Sequence, residues 1–259
     1  MSVKINIVTP AGSLEGLEET ILSVRRASKL LNKYSFNHKI IFNNNVKPKI
    51  ISRTTGNYTL EIIDINPVAS RSAARNKGIN LINENKNSFV IFLDVGDELL
   101  KDAIEHIQTL SNDDNNKDVM IICNSYIKFS EKLKLISVPL FPIYLKFIVN
   151  PFMIGGVIIN TSLAKKNLFY EGKKEDWVYW NKILIMNPKL KFTKKYNYIY
   201  NITHLPKHYK NKLDSIMKLR KILVEQYKWS RINSYIIFLI HFLLISLRWT
   251  ILRIKYFLS

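Results

Sequence analysis

The chain has 259 residues, with 39 Lys and Arg against 20 Asp and Glu, one Cys, and a formal charge of +19. A hydrophobic content of 47% at this length supports a real core and excludes a disordered or fibrous chain. The single Cys123 excludes an internal disulfide framework and a CxxC-type zinc site, and it suits a reducing compartment.

The opening MSVKINIVTP enters a strand-like run with no apolar stretch behind a basic one, so a cleaved signal peptide is not expected. Lys4–Val8 predicts a strand, ended by the breakers Pro10 and Gly12. Ser13 is the expected N-cap of a helix whose apolar face carries Leu14, Leu17, Ile21 and Val24. Further strands are predicted at His38–Phe42, running into Asn43, Asn44 and Asn45, and at Tyr58–Ile63. A helix over about Ser72–Leu81 precedes the continuous apolar run Phe89–Leu93, which ends on Asp94. Such runs belong to strands covered on both faces of a parallel sheet. The alternation predicts an α/β, Rossmann-like layer architecture with a mostly parallel central sheet flanked by helices.

From Val119 the pattern becomes irregular. Met120–Phe129 and Gly156–Asn160 predict strands around the Pro139, Pro142 and Pro151 segment. A helix follows Glu175, and a last strand-like run covers Tyr196–Ile202. This half reads as a substrate-shaping extension of the same sheet. The expected division is a domain over 1–205, with halves 1–130 and 131–205, and a helical tail over 206–259.

The charge is uneven. Residues 1–160 carry 19 basic and 15 acidic side chains, a net +4; residues 161–204 carry 9 and 3, a net +6; residues 205–259 carry 11 and 2, a net +9. A basic end of this kind points to nucleic acid or to an anionic membrane. In the tail, 16 uncharged residues separate Arg231 from Arg248. At ~1.5 Å per residue they reach ~24 Å, short of the ~30 Å hydrocarbon core. Ser234, His241, Arg248 and Lys255 recur every seven residues along one narrow stripe of an otherwise apolar helix. The first expectation is a helix lying in the membrane interface, with Trp249 and Tyr256 at headgroup level. A tilted span and a soluble oligomer seam are the second and third. No nucleic-acid module is recognisable, so nucleic acid is not an expected partner.

Asp94-Val95-Gly96-Asp97 lies where ligands gather in open α/β sheets, beyond the carboxyl end of a central strand. Two carboxylates in a tight turn can hold Mg²⁺ or Mn²⁺ that a diphosphate also ligates. The same residues equally suit a plain turn, with Gly96 at positive φ and Asp97 capping a helix near Glu98.

Taken in order, several segments resemble the family 2 glycosyltransferases of GT-A fold. They are Val8-Thr9-Pro10, the Leu17–Val24 helix, Ser72-Ala-Ala-Arg75-Asn76-Lys-Gly78-Ile79, Phe92-Leu93-Asp94-Val-Gly96-Asp97, Gly155-Gly156-Val157, and Phe169-Tyr-Glu171 followed by Glu175-Asp176-Trp177. The resemblance covers roughly residues 3–205. It implies that Thr9, Pro10 and Ala11, with Asn43 and Asn44 where acids are common, meet the base and ribose of a nucleotide sugar, a UDP-sugar by preference. Arg71 and Arg75, one helical turn apart, would face the diphosphate or the neighbouring carboxylates. Asp94 would touch ribose and metal. Gly96 stands in place of the second acid of a strict DXD, which leaves Asp97 to supply the other metal carboxylate, and His204 is a further ligand candidate.

The implied reaction is inverting sugar transfer, with Asp176 the first candidate for catalytic base and Glu175 the second. Trp177 and Trp180 offer a sugar-stacking surface or a core, and Lys207 and Lys210 could neutralise the diphosphate. The expected acceptor is a saccharide, plausibly lipid-linked, in bacterial capsule, O-antigen or exopolysaccharide synthesis at the cytoplasmic face of the membrane. A homo-oligomer is left open. The competing expectation is a degenerate fold that binds membrane or nucleic acid without catalysis, for which Gly96 and the three asparagines speak.

Overall fold

The computed structural model of the chain describes residues 3–42, 52–64, 69–83, 87–105, 107, 118–129, 132–137, 150–172 and 174–202. Asn43, Asn44, Asn45, His204, Lys207, Lys210 and the tail 206–259 lie outside the described residues. Apart from Asn150, all described residues belong to one unit, residues 1–140 with 151–204. No helix among them is long and apolar enough to cross a membrane.

The first half runs β1 (Lys4–Ala11), α1 (Leu17–Leu30), β2 (Ser35–Phe42), β3 (Ser52–Thr55), β4 (Tyr58–Asp64), α2 (Arg71–Asn80) and β5 (Ser88–Phe92). It continues through β6 (Glu98–Leu99), α3 (Asp102–Glu105), β7 (Val119–Phe129) and β8 (Lys132–Ile136). A 3-10 turn at Ile154–Gly156 leads into β9 (Val157–Asn160), α4 (Thr161–Lys166), α5 (Glu175–Ile185) and β10 (Lys189–Ile202).

One sheet joins all the strands in the order β3-β4-β2-β1-β5-β9-β7-β10-β6, with β8 paired to β7. β1 lies between β2 and β5, parallel to both, and β4 is parallel to β2. The strand order reverses about β1, so its carboxyl end and that of β5 form the switch point where ligands collect.

The sheet is mixed rather than mostly parallel. β9 runs antiparallel to both β5 and β7, β10 is parallel to β7, and β3, β6 and β8 are each antiparallel to their partners. Every residue of β9 is buried. A strand covered on both faces carries no alternation that would tell its direction.

β1 does not stop before Pro10 but pairs with β2 as far as Ala11. Its pairing with β5 ends at Val8, whose carbonyl accepts from Leu93 N–H at 3.1 Å. Pro10 shares the parity of Val8, so its nitrogen faces the side that β5 has left, where no ladder donor is needed. The next expectation also shifts. α1 is capped by Gly16 at φ 76°, not by Ser13, and Leu14 precedes the helix and is exposed.

α2 begins on Ser70, whose Oγ accepts from Ala73 N–H at 3.0 Å. It sits so close to β1 that a Cβ on Gly78 would lie 2.4 Å from Val8 Cγ1. On the other face of the sheet, Ile5 and Ile7 pack with Val24 and Ala27 of α1 and with Ala103 and Ile104 of α3. Trp177 and Trp180 are both buried, and Trp180 belongs to an aromatic cluster that joins α5 to Phe92, Phe152 and Phe169. Of their two expected uses, they serve as core.

Candidate active site

The turn after β5 is held from below by α1. Asp97 N–H donates to the Asp94 carbonyl at 3.1 Å, and Gly96 takes φ 90°. Thr20 Oγ1 accepts from Gly96 N–H at 2.9 Å and donates to the Asp97 carbonyl at 2.9 Å. One turn along, Ser23 Oγ accepts from Leu99 N–H at 3.0 Å. A Cβ on Gly16 would lie 2.9 Å from Gly96 Cα, so the helix start and the acid turn are in backbone contact. β10 closes the far side: Asn201 Nδ2 donates to the Gly96 carbonyl, and its backbone N–H donates to Asp97 Oδ1 at 3.0 Å.

Glu98 and Leu99 then form β6 against β10, so Asp97 does not cap a helix there. It is 2% exposed, and its Oδ2 has no hydrogen-bond partner among the described residues. Burial, reinforced by the nearby Asp94 charge, pushes its carboxyl up to about 8.

Asp94 is half-buried at the mouth of the turn. Arg75 Nη2 donates to its Oδ1 at 2.7 Å, and Arg71 Nη1 stands 3.5 Å from Oδ2. Burial works to raise this carboxyl, but the two guanidinium groups outweigh it and hold it below the ordinary carboxylate range.

Arg75 is only 1% exposed. Its Nη1 donates to Glu175 Oε1 at 3.0 Å, and its guanidinium lies over the Phe169 ring at 5.2 Å. With both fork ends on carboxylates and the stem covered, Arg75 is a bridge between the donor-side turn and α5. Arg71, 61% exposed at its side chain, is the cation open to a ligand.

Asn76, beside Arg75, clamps the next segment with both amide atoms. Its Oδ1 accepts from Phe169 N–H at 2.7 Å and its Nδ2 donates to the Phe169 carbonyl at 2.9 Å. Phe169 stacks on Tyr179 at 3.8 Å, which sets the entry to α5.

α5 opens after Lys174 in a left-handed conformation, φ 64°, and places Glu175 and Asp176 in its first turn. Asp176 is half-buried. Burial and the adjacent Glu175 raise its carboxyl, partly offset by Arg75. A carboxylate raised in this way is suited to proton abstraction, whereas Glu175 is already engaged by Arg75.

Thr9, Pro10 and Ala11 lie within β1 and are buried. The Thr9 hydroxyl is 2.9 Å from His38 Nε2, and burial lowers that imidazole to about 3, so the neutral ring serves the core. Asp94, Asp97, Arg71, Arg75, Glu175 and Asp176 are brought together; the side chain of Thr9 is turned to the core.

Tyr200 on β10 was missed in the sequence. Its phenol, 37% exposed, is raised by burial and by Asp97 and Asp94, with Arg71 and Asp176 also within electrostatic reach. A polar tip two residues beyond the buried Tyr198 on one strand face was the available signal.

The described residues fit a divalent cation poorly. No three His, Cys, Asp or Glu side chains converge among them. Both Asp94 oxygens are met by arginines, Gly96 brings no side chain, and Asp97 turns its Oδ1 to a backbone N–H.

The mixed sheet thus carries an arginine-bridged acid turn at its switch point and a carboxylate pair that opens the adjoining helix. No protein-family model matches the chain, and no curated protein matches its sequence. Solved structures do match. The crystal structure of S. aureus TarS 1-349 has a TM-score of 0.60 at 12% identity, over 91% of this chain and 69% of that one. The same TarS segment in complex with UDP-GlcNAc has a TM-score of 0.61 at 12% identity, over 92% and 71%. Its complex with UDP has a TM-score of 0.56 at 14% identity, over 92% and 70%. The likeness bears out the resemblance to bacterial surface-polysaccharide glycosyltransferases at the level of fold.

Proposed function

We propose that the chain is an inverting glycosyltransferase that moves a sugar from a nucleotide diphosphate to a saccharide acceptor. The observation that carries this reading is the Asp94–Arg75–Glu175 bridge, which ties the turn at the switch point to the helix that bears Asp176.

In this reading the nucleotide sugar lies over the carboxyl ends of β1 and β5, with a UDP-sugar favoured because the TarS segment of like fold is seen with UDP-GlcNAc and with UDP. The acceptor hydroxyl attacks the anomeric carbon from the face opposite the diphosphate. Its proton passes to the Asp176 carboxylate as the new C–O bond forms. The bond from the anomeric carbon to the diphosphate oxygen breaks, and the electron pair leaves with the diphosphate. Arg71 is the described cation open to meet that charge. A divalent metal, which the resemblance implies, would supply further charge on the diphosphate. Asp94 is the one described residue placed to hold it, and it would have to exchange an arginine to do so.

The acceptor is read as a saccharide of a bacterial surface polymer, lipid-linked where the basic tail meets an anionic membrane at its cytoplasmic face. Support for this part comes from the tail's composition, +9 over residues 205–259 beside an apolar run. The deciding experiment is a panel of nucleotide sugars, read as binding and as slow donor hydrolysis, on the full chain and on Asp176→Asn. One donor should bind to both, with turnover lost in the variant. If no donor binds at all, the competing view of a non-catalytic fold is the better one.

A further inference from the structure

β7, β8 and β10 form the side of the sheet away from the nucleotide half. Together these strands carry seven Lys and no Asp or Glu. The acids of the site all come from the turn after β5 and from α5. A sheet with one sign of charge beside an acidic reaction centre asks what it faces.

The register shows which lysines look toward the centre. Tyr198 pairs with Ser125 on β7, and Ser125 with Ile136 on β8. One row outward, Tyr200 pairs with Ile127, and Ile127 with Lys134. Residues paired across a ladder share a face, so Tyr200, Ile127 and Lys134 lie in one line on the same side of the sheet. Lys132, two residues before Lys134, repeats that side. Tyr200 is the residue whose phenol lies within electrostatic reach of Asp94, Asp97 and Asp176. From Tyr200 to Lys134 is two inter-strand steps of ~4.8 Å, about 10 Å in all. Lys132 and Lys134 are exposed and make no ion pair among the described residues. Leu133 and Leu135, by contrast, alternate onto the opposite side.

We propose that the β8 edge is an acceptor subsite for an anionic saccharide, whose phosphate or carboxylate groups meet Lys132 and Lys134 while its hydroxyl end reaches past Tyr200 to Asp176. The inference rests on the glycosyltransfer reading and adds a substrate class to it. The cation beside the turn after β5 is the exposed Arg71, at 3.5 Å from Asp94, while Lys134 lies two strands from Tyr200. The apolar partner that a lipid surface would need lies on the other side of β8, which favours a glycan over a membrane at this face. Ile127, between Tyr200 and Lys134 in this row, is a half-buried apolar floor on which a sugar ring can rest.

The test compares full-length wild type, Lys132→Ser/Lys134→Ser, and the control Lys194→Ser/Lys195→Ser, whose exposed lysines lie five or more residues back along β10. Probes are oligogalacturonate and its methyl ester, phosphorylated maltohexaose and maltohexaose, and phosphatidylglycerol vesicles. Both acidic glycans, or only one of them if the subsite selects between phosphate and carboxylate, should bind wild type better than their neutral forms. The double variant should lose about tenfold in that binding, and the control should keep it. UDP-sugar binding should be the same in all three proteins. Equal binding of acidic and neutral forms, an equal loss in the control, or a loss confined to vesicles would each overturn the proposal. If no nucleotide sugar binds wild type but the lysine-dependent glycan binding persists, the transfer reading fails and the anionic-glycan site stands.

Discussion

Arg75 and Glu175 are 100 residues apart in the chain and meet at 3.0 Å, in a contact whose guanidinium side is almost wholly buried. The same guanidinium holds Asp94 at 2.7 Å. Its Nε is buried without a partner among the described residues, so the group is committed to the two carboxylates. This one side chain joins the turn after β5 to the start of α5, which share no backbone hydrogen bond among the described residues.

Arg75→Met should therefore leave two half-buried carboxylates without their shared cation. The expected destabilisation is ~3–5 kcal/mol, read as a lowered urea midpoint. Arg75→Lys, with one point charge for two acceptors, should fall between the variant and wild type. A midpoint unchanged in both would mean that the bridge contributes nothing to stability.

Asp176 must be ionised to take a proton, and its environment raises its carboxyl. kcat/KM should then rise with pH along a limb whose midpoint lies above the ordinary carboxylate range. Asp176→Asn should abolish that limb and lower kcat by ~10²–10⁴. Glu175→Gln should instead lower stability, since Glu175 is bound to Arg75, and keep the limb while moving its midpoint to lower pH, since Glu175 is one cause of the raised Asp176 carboxyl.

Asp97 is held toward its neutral form by burial and by the nearby Asp94 charge. Its folded value of about 8 is above the ordinary aspartate value, so between the two the folded state holds a proton that the unfolded chain has lost. Stability should accordingly fall as pH rises from ~4 to about 8, with a slope of up to ~1.4 kcal/mol per pH unit. Asp97→Asn keeps an acceptor for Asn201 N–H and should flatten that slope. Urea unfolding at pH 5 and pH 8 checks it; parallel pH profiles for the two proteins would refute the assignment.

Thr20→Val preserves shape but leaves Gly96 N–H and the Asp97 carbonyl without their hydroxyl. A cost of ~1–3 kcal/mol is expected, with a raised KM for donor because the turn that carries Asp94 loosens. Ser23→Ala, which releases Leu99 N–H and a hydroxyl bond to the helical Thr20 carbonyl but leaves Gly96 and Asp97 held, should cost less and leave KM unchanged.

Gly78→Ala should destabilise by ~1–3 kcal/mol, since its Cβ would meet a buried valine on the central strand at 2.4 Å. Lys174→Gly should do the reverse. A left-handed φ of 64° suits glycine, and the change is expected to add up to ~1 kcal/mol of stability.

How much of this was legible in the chain differs from element to element. The apolar run before Asp94 announced β5, and the Ser72–Leu81 stretch announced α2, because both signals are local. α1 was placed too early because Ser13 is a good cap by composition. Its real start needed Gly16, whose positive φ and close approach to Gly96 exist only once two distant loops are packed. The acids and arginines of the site were visible as residue types at motif spacing. Their division of labour was not: Arg75 could face the diphosphate or the neighbouring carboxylates, and only its 1% exposure and two carboxylate partners make it a bridge.

Composition told at the outset that the charge of +19 is gathered away from the nucleotide half. By itself the sequence determined that the chain is an α/β protein with an acid turn after a buried strand and a basic second half. Periodicity, caps and charge are properties of neighbouring residues. The tertiary structure decided which groups remain open. It turned Thr9 to His38, closed Asp97 under Asn201, left Arg71 exposed beside Asp94, and brought Tyr200 and Lys134 into one row. Those outcomes depend on strand direction and register, which are set by packing between segments up to a hundred residues apart.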